Sequence, residues 1–191
     1  MQKTKIAIFA SGTGSNARAI IEHSYKANYE VDLIICNNEN AGVLNFSEEF
    51  DIDAMLIDKQ TFYEEEVLLD FLKEREIKVL ILAGFLWLIP EYLIAGYKDK
   101  IINIHPALLP KFGGKGMYGN KVHQAVFDAK EKESGITIHL VNNEYDKGEF
   151  LFQKTVDISE EKNAKNIAAK VLKLEHKHFP KVIEKFIQKN S

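Results

Sequence analysis

The amino-acid sequence predicts an α/β fold, a Rossmann-like and mostly parallel sheet with helices on both faces. Short apolar segments alternate with longer helical segments from residue 6 to residue 105. Turns rich in glycine, serine and asparagine separate them, as at residues 11–16 and 37–40. Strands separated by helices of this length favour a parallel sheet that is covered on both sides.

The alternation places strands at residues 6–10, 31–36, 54–57, 79–83 and 101–105. Helices are predicted between them at residues 16–27, 43–50, 63–76 and 91–97. The pattern changes after Pro106, where a helix at 121–129 precedes strands at 135–141 and 150–156. These two strands indicate a hairpin-like pair at the border of the sheet. A helical segment follows at residues 163–188, with Pro180 marking a kink or a fresh start.

Composition limits the size and the class of the protein. The chain has 191 residues, so residues 1–191 are assigned to one domain with one core. Hydrophobic residues make up 46% and charged residues 28%, which argues against disorder. The net charge of −3 gives no general attraction to nucleic acid or to an anionic membrane, so neither is an expected partner.

Three features indicate a cytoplasmic protein. Cys36 is the single cysteine, so no intrachain disulfide can form and a reducing compartment fits. The longest apolar run, residues 79–89, is shorter than the roughly 20 residues that a membrane span needs. The apolar segment at residues 6–10 is also too short for the core of a signal peptide.

The first glycine loop, residues 11–16, has the sequence SGTGSN and joins a predicted strand to a predicted helix. Such a turn directs free backbone N–H groups and the positive end of a helix at one place, which suits an anion. An NAD-type loop is disfavoured, because Ala17 stands in place of the third glycine and the tip of the second strand, Cys36-Asn37-Asn38, has no acidic residue. A phosphate group is the favoured ligand, and an ordinary strand-to-helix turn is the alternative.

Asn103 and His105 lie two residues apart at the carboxyl end of a predicted strand, so they face the same side. Ligand sites of open α/β sheets lie outside such strand ends. An amide and an imidazole together can stabilise an oxygen that gains charge, and the imidazole can carry a proton. This chemistry suits acyl transfer, although a buried, hydrogen-bonded polar pair is the alternative.

Asp146 lies in a predicted turn between two strands. Its carboxylate either makes a local Asx-type turn or reaches the imidazole of His105. In the second case it would orient the imidazole and raise the pKa of His105.

Glu175 lies on an apolar stripe of the last predicted helix. The stripe is formed by Ala164, Ala168, Val171, His178, Val182 and Phe186. A carboxylate on such a stripe should face protein and contact a ligand or a buried cation, unless it tilts towards solvent. His139, in the middle of a predicted strand, is interpreted as a packed structural histidine. No cysteine and histidine spacing typical of a metal site occurs, so no metal is expected.

Taken together and in this order, six segments resemble the folate-dependent formyltransferases, and among them the glycinamide ribonucleotide branch. They are ASGTGSN at 10–16, LAGF at 82–85, NIHPALLP at 103–110, SGITIH at 134–139, DKG at 146–148 and LEH at 174–176. The resemblance covers nearly the whole chain and implies the formyltransferase fold.

The resemblance also implies roles for particular residues. Gly14, Ser15 and Asn16 would hold the phosphate of the substrate, and Glu175 would contact the same substrate. The implied folate-binding residues are Leu86, Trp87, Leu88, Ile89, Asn103, Val141, Asn142, Asn143 and Glu144.

The implied reaction transfers the formyl group of the co-substrate 10-formyltetrahydrofolate to the amine of N1-(5-phospho-D-ribosyl)glycinamide, a step of purine biosynthesis. Asn103 and protonated His105 would stabilise the oxyanion of a tetrahedral intermediate, with Asp146 supporting the imidazolium. The expected partners are these two small molecules, and the expected assembly is a monomer or a weak homodimer.

Two departures from the family pattern concern the folate. Trp87 stands where many relatives have arginine, and no arginine stands near Thr61. The usual contacts to the glutamate tail are therefore missing. The second glycine loop, residues 111–119, is longer and richer in glycine than the common form, and we expect it to act as a mobile, cationic lid.

Other readings remain open. A formyltransferase that acts on methionyl-tRNA would need a C-terminal nucleic-acid module, and a formyltetrahydrofolate hydrolase would usually carry an N-terminal regulatory domain. A sugar formyltransferase would not need the first glycine loop. A non-catalytic nucleotide-binding module is the alternative from another class.

Overall fold

The computed structural model describes residues 2–64 and 67–190. Within them one sheet runs through the molecule, with the strand order β3-β2-β1-β4-β5-β6-β7. Strands β1 to β5 pair in parallel, whereas β6 and β7 are antiparallel. The strands are β1 (Thr4–Ala10), β2 (Tyr29–Cys36), β3 (Asp53–Leu56), β4 (Val79–Leu82), β5 (Ile101–His105), β6 (Glu133–Leu140) and β7 (Phe150–Asp157). The predicted fold class is confirmed, as is the hairpin at its border.

The helices follow the predicted segments with shifted ends. They are α1 (Ser15–Ser24), α2 (Phe46–Phe50), α3 (Lys59–Glu64), α4 (Val67–Glu74), α5 (Glu91–Gly96), α6 (Asn120–Asp128) and α7 (Ala164–Asn190). The predicted helix at 43–50 begins as a 3-10 helix over Gly42–Asn45. The predicted helix at 63–76 includes Glu65 and Glu66, which lie outside the described residues, and its other part belongs to α3 and α4.

Strand β1 explains why helices cover both faces. Ile6 and Ile8 point into one apolar cluster, and Ala7 and Phe9 point into a second cluster on the other face. All of these side chains are fully buried, as expected for a central parallel strand. Helices α1 and α7 contribute to the first cluster, and α4 and α5 contribute to the second.

Helix α7 corrects two details of the prediction. Its buried side chains recur every four residues, and this stripe shares Val171 and Glu175 with the predicted one, whereas its other members differ from the predicted positions. The stripe consists of Ile167, Val171, Glu175, Phe179, Ile183 and Ile187. The predicted fresh start at Pro180 is wrong, because α7 continues through this residue. Pro180 is itself buried, so packing compensates for the backbone hydrogen bond that proline cannot donate.

The order of the strands determines where a ligand can bind. Strand β1 lies between β2 and β4. The connection after β1 therefore leads to β2 on one side of the sheet, and the connection after β4 leads to β5 on the other side. A crevice opens at the carboxyl ends of strands at such a switch point. The first glycine loop follows β1, and residues 83–89 follow β4, so both border this crevice. Among the described residues, no helix is long and apolar enough to cross a membrane.

Candidate active site

A cavity of about 520 Å³ lies at the carboxyl ends of β1, β4 and β5. Residues 84–89 form one wall, residues 141–146 form another, and the second glycine loop covers part of the opening. The predicted site residues that line it are Asn16, Leu86, Trp87, Leu88, Ile89, Asn103, His105, Val141, Asn142, Glu144, Asp146 and Glu175. Gly14, Ser15 and Asn143 are not among its lining residues.

Asn103 is oriented by a histidine on the neighbouring strand. The two residues are paired across β5 and β6, and Asn103 Nδ2 lies 3.1 Å from His139 Nε2. His139 Nδ1 lies 2.8 Å from the carbonyl oxygen of Leu140, which can only accept a hydrogen bond. In the neutral ring Nδ1 therefore carries the hydrogen, and Nε2 accepts one from Asn103. The second N–H of the amide remains available to the cavity.

The interpretation of His139 as a packed structural residue is therefore incomplete. It is buried, as predicted, but it also lines the cavity and bonds directly to Asn103. Sequence alone does not give the pairing of β5 with β6. The available signal was the side-chain alternation, which places His139 on a face of its own strand.

His105 is held at both ring nitrogens. Nε2 lies 2.8 Å from the carbonyl oxygen of Phe112, so Nε2 carries a hydrogen that it donates to the second glycine loop. Nδ1 lies 3.6 Å from Oδ1 of Asp146. Nδ1 is therefore the nitrogen that gains a proton when the ring becomes an imidazolium, and it does so beside a carboxylate.

The expected rise in the pKa of His105 is wrong in its net direction. Burial lowers the pKa of His105 below its usual value, because the charged ring loses water, and only 4% of the side chain is exposed. Asp146 does act to raise the pKa, but it does not compensate for burial. The free protein thus holds a mostly neutral His105 at neutral pH, and the imidazolium must form during the reaction.

Asp146 is the residue where three parts of the site meet. Its Oδ1 lies 3.6 Å from His105 Nδ1 and 3.6 Å from His139 Nε2, and its Oδ2 accepts a hydrogen bond from the Gly114 N–H at 2.8 Å. Burial acts to raise the pKa of Asp146, but the neighbouring imidazoles and this N–H outweigh it, so the net shift is downward. The carboxylate is therefore ionised and reaches the imidazole.

The second glycine loop lies against the site as well as over it. Its Phe112 carbonyl and Gly114 N–H contact His105 and Asp146, and Lys115 lines the cavity. Lys111 is tethered to Glu131 at 2.9 Å. Gly114 and Gly116 have φ angles of 96° and 88°, which glycine adopts without a steric cost. The loop thus places a backbone acceptor beside His105 and, through Gly114, a backbone donor beside Asp146.

Glu175 is buried on α7, and the alternative in which it tilts towards solvent is wrong. Only 7% of the residue is exposed, and one carboxylate oxygen lies 2.6 Å from Asn16 Nδ2. Burial raises the pKa of Glu175 to about 7, although the bond from Asn16 acts against it. Asn16 Oδ1 is buried and has no partner among the described residues. The pair therefore presents unused hydrogen-bonding capacity to the cavity.

The first glycine loop requires glycine at one position in particular. Gly14 has a φ angle of 80° and precedes α1, and a Cβ atom there would lie 2.8 Å from both Val43 and Phe46. The loop can therefore keep its backbone close to the next segment only with glycine. Ser15 lines a neighbouring cavity of about 620 Å³ with cationic side chains of α1 and α7. The start of α1 thus separates two cavities.

An aromatic cluster supports the wall after β4. Trp87 lies 5.6 Å from Phe62 and 6.1 Å from Tyr63 between ring centroids, and it packs against Phe85. The Tyr63 hydroxyl donates a hydrogen bond to the Leu88 carbonyl at 3.1 Å. Trp87 is therefore part of an aromatic wall of the cavity.

Several cavity residues were missed from the sequence. They are Met117, Tyr118, Asn120 and His123, which follow or end the second glycine loop. Nothing in their spacing distinguishes them, because their place depends on how α6 is oriented. In the described part of the chain, no group of three or more histidine, cysteine, aspartate or glutamate side chains could hold a metal ion.

Comparison with known proteins places this geometry in a family. The Formyl transferase family model matches residues 4–183. A phosphoribosylglycinamide formyltransferase of Bacillus subtilis is 34% identical over 98% of this chain and 96% of its own length. A chloroplastic phosphoribosylglycinamide formyltransferase of Vigna unguiculata is 38% identical over 96% of this chain, which spans 61% of that protein.

Solved structures agree. A phosphoribosylglycinamide formyltransferase from Bacillus halodurans has a TM-score of 0.88 and 32% identity, covering 98% of this chain and 97% of its own. One from Anaplasma phagocytophilum has a TM-score of 0.89 and 29% identity, covering 98% and 89%. The sequence match and the shared sheet lead to the same conclusion. The chain belongs to the formyl transferase family.

Proposed function

We propose that this protein transfers a formyl group from 10-formyltetrahydrofolate to the amine of N1-(5-phospho-D-ribosyl)glycinamide, as a phosphoribosylglycinamide formyltransferase of purine biosynthesis. The observation that carries the proposal is the group formed by Asn103, His105 and Asp146 in one cavity. An amide donor, an imidazole and an ionised carboxylate are the groups that acyl transfer through a tetrahedral intermediate requires. The names of the relatives supply the substrate class.

In the proposed mechanism the neutral amine of the substrate attacks the formyl carbon, and the carbonyl π bond becomes an oxyanion. The free N–H of Asn103 donates a hydrogen bond to this oxygen. The amine nitrogen then loses a proton, and the departing folate nitrogen gains one when its bond to carbon breaks. Nδ1 of His105 faces Asp146 and is the site for this proton, with the carboxylate stabilising the imidazolium.

The two substrates are assigned to different parts of the cavity. Asn16 and Glu175 lie at the end nearest to α1 and α7, where hydroxyl groups of a ribose can meet the carboxylate. The phosphate is assigned to the backbone of Gly14, Ser15 and Asn16 at the start of α1. Residues 86–89 and 141–144 supply the opposite walls, to which the folate is assigned.

The folate tail must be held without the arginines of relatives. We assign the pterin to the apolar wall around Trp87 and the glutamate tail to the exposed rim of the cavity. Lys115 lines the cavity and supplies a positive charge there. A weakened grip on the tail would raise KM for the folate and leave the chemical step unchanged. A cytoplasmic location, a monomer or weak homodimer, and the absence of nucleic-acid partners are part of the same proposal.

One assay tests the reaction. The protein is mixed with N1-(5-phospho-D-ribosyl)glycinamide and 10-formyltetrahydrofolate, and the formation of tetrahydrofolate is followed. We expect formation to require the amine substrate. Formation without it would identify a hydrolase, and no formation at all would contradict the proposal.

The matched variants are Asn103→Ala and His105→Ala. Removing the donor to the oxyanion in Asn103→Ala should lower kcat by about a hundred- to a thousandfold. Removing the group that carries the proton in His105→Ala should lower kcat by about a hundred- to ten-thousandfold. Wild-type turnover in His105→Ala would contradict the role assigned to His105. Thermal unfolding of each variant controls for a loss of folded protein.

A further inference from the structure

His123 is a buried histidine of the cavity that the mechanism above does not use. It lies on α6, directly after the second glycine loop, and it lines the same cavity as His105. Its side chain is 93% shielded, since 7% of the residue is exposed. A buried imidazole with a ring nitrogen that makes no hydrogen bond lowers the stability of a folded protein, which favours a role in binding a ligand.

The two ring nitrogens of His123 differ. Nδ1 is enclosed and has no hydrogen-bond partner among the described residues. A hydrogen at Nδ1 would therefore be an orphan donor, which is rarer and costlier in proteins than an unused acceptor. The ring thus carries its hydrogen on Nε2, and the Nε2 edge is the one that remains for a ligand.

The same enclosure explains why the ring stays neutral. Burial, and to a smaller extent the nearby His105, lowers the pKa of His123 to about 4. Protonation would add a hydrogen at Nδ1 with nothing to receive it. His123 is therefore a neutral donor at any pH near 7, while His105 beside Asp146 is the imidazole that can become charged.

The position of α6 indicates which substrate meets this donor. Helix α6 packs against α7, which carries Glu175, and the folate-side walls come from other segments. The substrate assigned to the α7 end contains an amide carbonyl between its ribose and its amine. That carbonyl oxygen is an acceptor that needs a donor once water has left the cavity.

We propose that Nε2–H of His123 donates a hydrogen bond to the glycinamide carbonyl of the amine substrate and so positions the attacking amine. The inference rests on the proposed function. The carbonyl does not change during formyl transfer, so the bond acts equally in the bound state and in the transition state. Its loss raises KM for the amine substrate and leaves kcat nearly unchanged.

The test compares three substitutions that differ in where they place an amide. Glutamine can bring its amide N–H to the place of Nε2, asparagine can reach only the place of Nδ1, and phenylalanine fills the space with no donor. We expect His123→Phe and His123→Asn to raise KM for the amine substrate roughly five- to tenfold, which is the worth of a hydrogen bond of about 1 kcal/mol. His123→Gln should stay within about twofold of the wild type, less than half the effect of such a bond.

His178→Phe is the matched control. This histidine lies on α7 and stacks on Phe152 with 5.0 Å between ring centroids, outside the residues that line the cavity. Its kinetics should equal those of the wild type. KM for the folate should also be unchanged in every His123 variant that folds, as judged by thermal unfolding.

Three results overturn the inference. They are an unchanged KM in His123→Phe, a rescue by asparagine but not by glutamine, and a rise in KM for the folate in place of the amine substrate. If His123→Phe does not fold, the comparison of glutamine with asparagine decides. A wild-type protein that does not formylate the substrate would instead contradict the proposed function, so the two failures are distinguishable.

Discussion

Glu175 is a buried carboxylate that lines the cavity and also affects the stability of the fold. Among the described residues, its carboxylate accepts one hydrogen bond, from Asn16, and no cation is paired with it. Burial of an unpaired carboxylate destabilises the protein when the group is ionised and much less when it is protonated. The protein keeps this group on an otherwise apolar stripe, which fits a residue retained for binding and not for packing.

Replacing Glu175 with Gln should therefore stabilise the protein at alkaline pH. The pKa of Glu175 rises from 4.5 to about 7 on folding, so its protonated form supports folding below about 4.5 and this support disappears as pH passes 7. Glutamine keeps the bond to Asn16 and cannot ionise. At pH 8 the variant should gain roughly 3 kcal/mol in free energy of unfolding, and much less at pH 5.

Urea unfolding at the two pH values measures this difference. Glu48→Gln, at an exposed position of α2, controls for the loss of one negative charge. A gain of equal size at pH 5 and pH 8 would show that the titration of Glu175 is not responsible. The same substitution should weaken binding of the amine substrate, which separates its contribution to stability from its contribution to the site.

Among the elements, the second glycine loop contributes backbone groups that contact His105 and Asp146. Its Phe112 carbonyl holds His105 Nε2, and its Gly114 N–H holds Asp146 Oδ2. These bonds fix the distance between imidazole and carboxylate from outside the sheet. A lid that opens would release both residues at once, so opening would switch off the chemistry as well as admit substrate.

Two glycine substitutions distinguish the effect of the hydrogen bond from Gly114 to Asp146 from the effect of backbone flexibility in this loop. Gly114 and Gly116 both have positive φ, and a Cβ atom at either would meet nothing within 4 Å. Only Gly114 donates to Asp146. Alanine strains the backbone by about 1 kcal/mol at each position, but Gly114→Ala should also disturb Asp146 and lower kcat about tenfold or more, in line with a lost charge-assisted hydrogen bond.

Gly116→Ala should lower the stability of the protein by about as much as Gly114→Ala does, but it should lower kcat by less. Steady-state kinetics and thermal unfolding of the two proteins provide the comparison. Equal losses of kcat would mean that flexibility of the loop matters and the anchor to Asp146 does not. Removing Lys115 and shortening the loop tests the lid itself, and near-native turnover would contradict it.

For the whole molecule, the cavity joins two regions that fold from distant parts of the chain. The walls assigned to the folate follow β4 and β6, whereas the end assigned to the ribose combines α1 with α7. Trp87 is the single tryptophan of the chain and lies on a wall assigned to the folate. Its fluorescence is therefore a local probe of one half of the cavity.

Tetrahydrofolate should quench the fluorescence of Trp87, and the amine substrate alone should change it little, because the two bind to different walls. A titration with each ligand measures the effect. Trp87→Phe protein and free tryptophan serve as controls for light absorption by the folate. An equal response to both ligands would contradict the assignment of the two halves.

The sequence predicts this fold well because its determinants are local. Apolar runs, turn residues and the spacing of Asn103 and His105 can be followed along the chain. Bonds between Asn103 and His139, and between Asn16 and Glu175, depend on strand register and helix docking, which local patterns do not encode. The net pKa shift of His105 depends on total burial, so the pairing with Asp146 alone gave the wrong direction.

The bond between Asn16 and Glu175 has a further meaning for the order of folding. It closes a separation of 159 residues, and contacts so distant in sequence form slowly because the chain must first lose much of its freedom. The end of the cavity that is assigned to the amine substrate cannot form before α7 docks on α1. In a refolding reaction, the time course of recovered amine-substrate binding would therefore measure when α7 docks on α1. The fluorescence of Trp87 would report separately when the wall assigned to the folate forms.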